Sequence, residues 1–237
     1  MMDILAIAAH PDDVELAAAG TLIKHIESGA NVGIVDLTAG ELGTRGDADI
    51  RAAEAEESRK IMGVSERINL YLKDGFFEEN ETTLNLIIQV IRKYRPRVVL
   101  TNAVHDRHPD HERASALVSR ACFLSGLAKI VTVDNGIEQQ SWRPQAVYHI
   151  IQDRYVKPDF VVDITPYYDQ KMAAINAFKS QFYQPGDTGP VTPISSAAFL
   201  HFLEGRAREF GRSIGVEFGE GFTVERPLGA ANILDFH

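Results

Sequence analysis

Two short stretches of this chain crowd imidazoles and carboxylates together. The first is His10-Pro11-Asp12-Asp13. The second runs from residue 105 to 111 and holds His105, Asp106, His108, Asp110 and His111. These residue types bind divalent cations and move protons. A hydrolytic metal site needs about three protein ligands, an open position for water, and a base beside it. His10, Asp13 and His111 could supply two imidazoles and a carboxylate. Asp12, a spare carboxylate next to Asp13, is the candidate base. His108 precedes His111 by one turn and is the candidate to stabilise an oxyanion, with Asp110 expected to hold its tautomer and favour its protonated form. Taken alone, Asp12 or Asp13 reads more simply as a helix N-cap or a first-turn acid facing the helix dipole. His105 alone reads as a surface loop residue. Two such dense loops together favour a metal or catalytic site.

Arginines surround these clusters. The stretch "TAGELGTRG" has glycines at 40, 43 and 46, but not in the GxGxxG spacing of a dinucleotide loop. It reads either as a flexible surface loop or as a loop covering a ligand at the sheet's carboxyl edge, bringing Glu41 and Arg45. Arg51, at the start of the next helix, could receive an anion beside free helix N–H groups. Arg107 and Arg113 flank the second cluster and could engage a carboxylate. Nucleophilic catalysis has no support: there is no GxSxG, and Cys122 reads as a small core residue in a helix. His25, His149, His201 and His237 show no partner pattern and read as structural.

Position along the chain explains how the clusters could meet. Strand signals fall at 3–9, 31–38, 67–72 and 97–102, and helix signals at 12–29, 50–63, 82–95 and 110–126. Further strands are expected near 146–151 and 160–164, and helices at 165–182 and 195–211, with short strand and coil from 213 onward. Repeated βα units imply parallel strands with right-handed crossovers. The expected fold is therefore an α/β, Rossmann-like open and mostly parallel sheet with helices on both faces, forming one domain over 1–237. In such a sheet the strand-to-helix loops share the carboxyl edge, where ligands bind.

Composition narrows the classes. The net charge of −9 argues against a broad nucleic-acid surface. No apolar run reaches the roughly 18–20 residues of a membrane span, and the N-terminus lacks a basic n-region and a cleavage site, so no membrane is expected as a partner and a cytoplasmic location is expected. The single cysteine excludes an internal disulfide and a multi-cysteine zinc site.

The motifs closely resemble the LmbE-like (PIG-L) family of zinc-dependent N-acetylglucosaminyl deacetylases. The family signature, His-Pro-Asp-Asp-Glu after the first strand and a later His-x-x-His, stands here as "AHPDDVE" and "HPDH". The stretches "LTAGELGTRG", "DIRAAEA", "DRHPDHERAS", "AFKSQF", "ISSAAFLHFLEGRAREFG" and "GEGFTVERPL" resemble the bacillithiol-biosynthesis branch, which removes the acetyl group from N-acetylglucosaminyl-malate. Two departures are visible: Val14 stands where the wider family often has Glu, and Ala17–Ala19 replace a more glycine-containing stretch. The resemblance implies one Zn2+ per subunit on His10, Asp13 and His111. It implies Asp12 as general base, His108 oriented by Asp110 as oxyanion stabiliser or acid, and Arg51 and Arg107 as substrate-binding. It further implies a small acetylated amino-sugar glycoside as substrate and a homo-oligomer, often a hexamer. Iron, cobalt or manganese would also suit these ligands. Other acetylated glucosamines, mycothiol-type conjugates and a non-catalytic metal- or sugar-binding module are the alternatives. The spare carboxylate of Asp12 counts against the last.

Overall fold

The apolar runs become the inner strands of one seven-stranded sheet. The computed structural model describes residues 1–232 and 234; His237 lies outside the described residues. The strands are β1 (Ile4–Ala8), β2 (Val32–Thr38), β3 (Glu66–Leu72), β4 (Val98–Thr101), β5 (Val133–Asp134), β6 (Ile137–Glu138), β7 (Ala146–Ile150), β8 (Phe160–Asp163) and β9 (Gly219–Val224). The helices are α1 (Asp13–Glu27), α2 (Ala48–Met62), α3 (Glu81–Tyr94), α4 (Pro109–Leu124), α5 (Tyr168–Asn176) and α6 (Ala197–Ser213).

The large sheet runs β3-β2-β1-β4-β7-β9-β8. Its first five strands are parallel, and β9 enters antiparallel between β7 and β8. Every residue of β1 and β2 is buried, as continuous apolar runs in a sheet covered on both faces require. One face packs Ile87, Ile88 and Ile91 of α3 and Leu117 and Val118 of α4 against Leu5 and Ile7. The other packs Ala18, Leu22 and Ile23 of α1 against Ala6 and Ile34. The order reverses between β1 and β4: β2 and β3 lie on one side of β1 and β4 on the other. The carboxyl ends of β1 and β4 therefore open the crevice in which open α/β sheets bind ligands.

Two expectations need correction. The helix expected over 165–182 is a short 3₁₀ turn, Thr165–Tyr167, followed by α5, which ends at Asn176. Beyond it Phe178 and Phe182 are fully buried, and the Ser180 backbone N–H and hydroxyl are bonded to Glu54. Tertiary packing there overrides helix propensity. The β5–β6 hairpin had no counterpart in the sequence reading; Asn135 and Gly136 form its turn, both at positive φ. Among the described residues no helix is long and apolar enough to cross a membrane.

Candidate metal centre

The two clusters meet at the reversal point. His10 follows the end of β1, and α1 begins immediately after. Asp12 sits at the helix boundary with φ 113° and ψ −25°, and its carboxylate makes no cap bond. A non-glycine residue there is strained by about 1–3 kcal/mol. The strain turns Asp12 towards Arg51, 3.2 Å away, and leaves Asp13 to face β4. Neither acid acts as the cap that each would suggest alone.

Asp13 is the hub. Its Oδ1 lies 3.0 Å from His111 Nε2 and its Oδ2 3.5 Å from His10 Nδ1. Three N–H groups fix it: the His10 backbone at 2.9 Å, Asn102 Nδ2 at 3.0 Å and Gln152 Nε2 at 2.9 Å. Each imidazole has its second nitrogen on another carboxylate. His111 Nδ1 bonds Asp106, while His10 Nε2 is 3.0 Å from Asp74 and 3.4 Å from Asp110. Asp106 is itself held by the Arg154 N–H at 2.9 Å. An imidazole with one nitrogen facing a shared centre and the other on a carboxylate is the usual support for a metal ligand.

The electrostatics follow from burial and crowding. Asp12 is pushed up to about 7 by burial, against the pull of Arg51 and with the help of Asp13. Burial works against charge on Asp13, but His111 and His10 hold it well below the ordinary carboxylate range. Burial also opposes charge on the two imidazoles. The carboxylates prevail, raising His111 to about 9 through Asp13 and Asp106, and raising His10 through Asp110, Asp13 and Asp74.

Four carboxylates thus converge on two imidazoles, with Asp12 beside them on Arg51. That donor set fits a divalent metal. Among the described residues, two groups of three bring ligand atoms within 4.8 Å of one another, His10 with His108 and His111, and His10 with Asp74 and Asp110. Asp13 belongs with His10 and His111 on stronger grounds. Both of those rings are braced by carboxylates on their far nitrogens, whereas His108 is not.

The structure gives His108 and Asp110 an arrangement different from the expected one. His108 is the N-cap of α4, and its Nδ1 accepts the Asp110 backbone N–H at 3.3 Å. The Asp110 carboxylate turns away, to the Gly75 N–H at 2.9 Å and to Arg113 at 2.7 Å. A ring that accepts at Nδ1 carries its proton on Nε2. Burial and the neighbouring imidazoles lower the pKa of His108, so the ring is neutral. It stacks on His111 at 5.0 Å between centroids.

Of the arginines, Arg51 is buried and bonds the carbonyls of Pro11 and Gly40. Gly40 has φ +65°, and a Cβ there would stand 1.8 Å from Arg51 Nη1, so glycine makes room for this guanidinium. Arg107 lines the cavity and bonds Asp153 at 3.0 Å. Arg45 does not reach the site. It is taken up by Ser180 O, Pro190 O and Asp187, tying one loop to another. His105 pairs with Glu112 on the surface, and His149 is buried against Ser115.

The sequence reading missed Asp74, Asn102 and Gln152 and gave Asp106 no role. Each follows the carboxyl end of a parallel strand, β3, β4, β7 and β4 respectively. That position was the one signal that could have found them. Above the cluster lies a cavity of about 390 Å³.

A family model described as PIG-L, GlcNAc-PI de-N-acetylase, matches residues 5–122, which carry both clusters. The chain is similar to the conserved protein TT1542 from Thermus thermophilus. Their structures align with a TM-score of 0.86 at 33% identity, over 98% of this chain and 99% of that one. It is 29% identical over 231 residues to a diacetylchitobiose deacetylase of Thermococcus kodakarensis, covering 92% of this chain and 81% of that protein. It is also 24% identical over 197 residues to a probable N-acetyl-alpha-D-glucosaminyl L-malate deacetylase 2 of Bacillus cereus, covering 75% of this chain and 83% of that protein.

Proposed function

The chain belongs to the PIG-L (GlcNAc-PI de-N-acetylase) family, and on that footing we propose a metal-dependent N-deacetylase that hydrolyses the acetamide of an N-acetylglucosamine-containing small molecule. The observation that carries this reading is the contrast between adjacent acids. Asp13 is pinned between two braced imidazoles, while Asp12 is free of them and poised near neutrality.

In this reading His10, Asp13 and His111 hold the metal, with zinc the proposed ion. Bound there, a divalent cation supplies a Lewis acid and lowers the pKa of water. Asp12 takes a proton from the attacking water as its oxygen adds to the acetyl carbon. Arg51 holds the Asp12 carboxylate in place. The Nε2–H of neutral His108 donates to the developing oxyanion. The C–N bond then breaks, the amine nitrogen takes the proton, and acetate leaves. Asp110 acts on this step through its backbone N–H, which fixes the His108 tautomer.

The malate glycoside of N-acetylglucosamine is the substrate we propose, with Arg107 at the cavity mouth to receive a carboxylate. The similarity to the Bacillus protein supports it. The similarity to the Thermococcus protein over most of the chain favours a second reading, an acetylated chitobiose. A homo-oligomer, hexameric by resemblance, in the cytoplasm completes the proposal. The test is acetate release from the malate glycoside, diacetylchitobiose and free N-acetylglucosamine, before and after chelation and metal add-back. The malate glycoside is expected to exceed free N-acetylglucosamine about tenfold or more in kcat/KM, as a charged hydrogen bond supplies about 1.5–3 kcal/mol. Faster turnover of chitobiose selects the second reading. No acetate from any of the three, with metal loaded, overturns both.

A further inference from the structure

The cavity above the metal centre has two unlike ends. At one end stand the acids and imidazoles. At the other, α1 presents Leu16 and Ala17, one turn beyond Asp12 and Asp13, and the α6 side presents Ile194, Phe199, Leu203 and Ala207. None of these six side chains carries a hydrogen-bonding group. Leu16, Ile194, Phe199 and Leu203 pack on the cluster around Phe178 and Phe182 but stay only partly buried. Lys171 and Glu220 also reach this end, yet they are spent on each other at 2.6 Å and on the backbone of α1. Arg107 and Asp153, paired with each other at 3.0 Å, lie at the catalytic end, beside His108 and Gln152 in the chain.

We infer that this apolar end is an acyl pocket, and that the chain removes unbranched N-acyl chains longer than acetyl as well as acetyl itself. The inference rests on the deacetylase reading and deepens it. A sugar turned towards this wall would bury hydroxyls without partners, and each such burial opposes binding. An acyl chain placed there brings no polar atom of its own to be left unpaired. With the scissile carbonyl at the acids and imidazoles, the chain runs along α1 past Ala17, and the sugar faces Arg107 and Asp153. The reaction is the same hydrolysis. The oxygen of water joins the acyl carbon, the C–N bond breaks, the amine takes the proton, and the longer carboxylate leaves.

The rim of α6 is tied to the catalytic end. Arg206 donates to the carbonyls of Gln152 and Asp153 at 3.0 and 3.1 Å, and lies over the rings of Tyr155, Phe202 and Phe210. Gln152 holds Asp13. The apolar wall and the hub acid therefore share one brace, which keeps the pocket aligned with the reacting carbon.

The experiment compares kcat/KM for N-acetyl-, N-butanoyl- and N-hexanoyl-glucosamine with the metal-loaded full chain, following release of the acid. Each buried methylene is expected to raise it about fourfold, so hexanoyl should exceed acetyl by about two orders of magnitude. Leu203→Trp and Ala207→Leu, which fill the pocket from α6, should cut the hexanoyl-to-acetyl ratio at least about tenfold. The ratio is taken on one preparation, so partial loss of folding cancels. Acetyl cleavage with no gain from longer chains, or variants that lower both substrates alike, overturns this inference and leaves the deacetylase reading standing. Absence of hydrolysis across the whole series overturns the deacetylase reading and this one with it.

Discussion

Two buried charge clusters flank the first turns of α1, and they differ in the cations that face their acids. In the closed cluster, Arg67 bonds Asp36 at 2.7 and 2.9 Å through two nitrogens and pairs with Glu15 at 2.5 Å, and Ser58 donates to Glu15 at 2.7 Å. One guanidinium with a rigid fork serves two carboxylates. The open cluster sets Asp13, Asp74, Asp106 and Asp110 against His10 and His111, with Asp12 on Arg51. Arg51 and Arg113 stand at its edge on Asp12 and Asp110, but the cations at its centre are imidazoles, which lose their charge when deprotonated. The closed cluster, held by a cation that keeps its charge, ties α1 to β2, β3 and α2. With its imidazoles neutral, the open one has an excess of negative charge that a divalent cation would offset. Composition alone does not separate them, since both are Asp/Glu-rich and buried. The kind of counter-charge does.

The sharpest way to break this comparison is Asp12→Asn. In the proposed mechanism Asp12 moves a proton but holds no metal. The expected fall in kcat/KM is about 10²- to 10⁴-fold, with metal content unchanged by elemental analysis. The sign of the pH dependence follows from the raised pKa. The base works deprotonated, so the wild-type rate drops as pH falls through its pKa. That pKa is about 7 without metal, and a cation beside it moves the acid limb below 7. The Asn variant should lack this limb. Loss of metal together with activity would place Asp12 among the ligands and undo the division between the two acids.

The closed cluster makes the opposite prediction. Arg67→Met leaves Glu15 and Asp36 buried without their cation, at a cost of about 3–5 kcal/mol of stability. Denaturant titration should read this as a lower midpoint, while metal stoichiometry without denaturant stays at the wild-type value. A variant that keeps its stability but loses metal would show that Arg67 serves the site and not the frame.

How far the sequence told these clusters apart is instructive. His10, Asp12, Asp13 and the 105–111 run were legible because each follows an apolar strand and opens a helix, and a parallel sheet sends such loops to one edge. Asn102 and Gln152 were not. A lone amide after a strand has no pattern, and its meeting with Asp13 depends on β4 pairing with β1 and β7. Asp110 was found but misdirected. Spacing put its carboxylate near His108, but an N-cap ring folds over the backbone N–H of the first turn, and the carboxylate went to Gly75 and Arg113. Arg45 was misplaced for a related reason. Its fork fits the carbonyls of Ser180 and Pro190, in a segment where the sequence pattern predicts a continuous helix through 182 and a loop beyond it. The apolar end of the cavity was illegible altogether, because α1 and α6 stand at opposite ends of the chain and meet only through the fold, on β9 and on the cluster around Phe178 and Phe182.

The finest test of the comparison is a single hydrogen bond on the open side against its equivalent on the closed side. Asp106 braces His111 through Nδ1 while Nε2 faces Asp13. Asp106→Asn keeps the size and an acceptor oxygen, so the ring stays in position, but the charge behind it is gone. A less basic imidazole binds a cation less tightly, and changes to such supporting carboxylates weaken metal binding about 10- to 100-fold. Competition with a chelator of known affinity measures this directly. Asp36→Asn removes the same charge from the closed cluster, and there the metal affinity should stay within about twofold, since Arg67 and not a ligand receives the change. Equal losses from the two variants would mean that metal affinity follows the summed negative charge around α1. A loss confined to Asp106 would mean that it follows the line from carboxylate to ring to centre, which is what the open arrangement of these five acids implies.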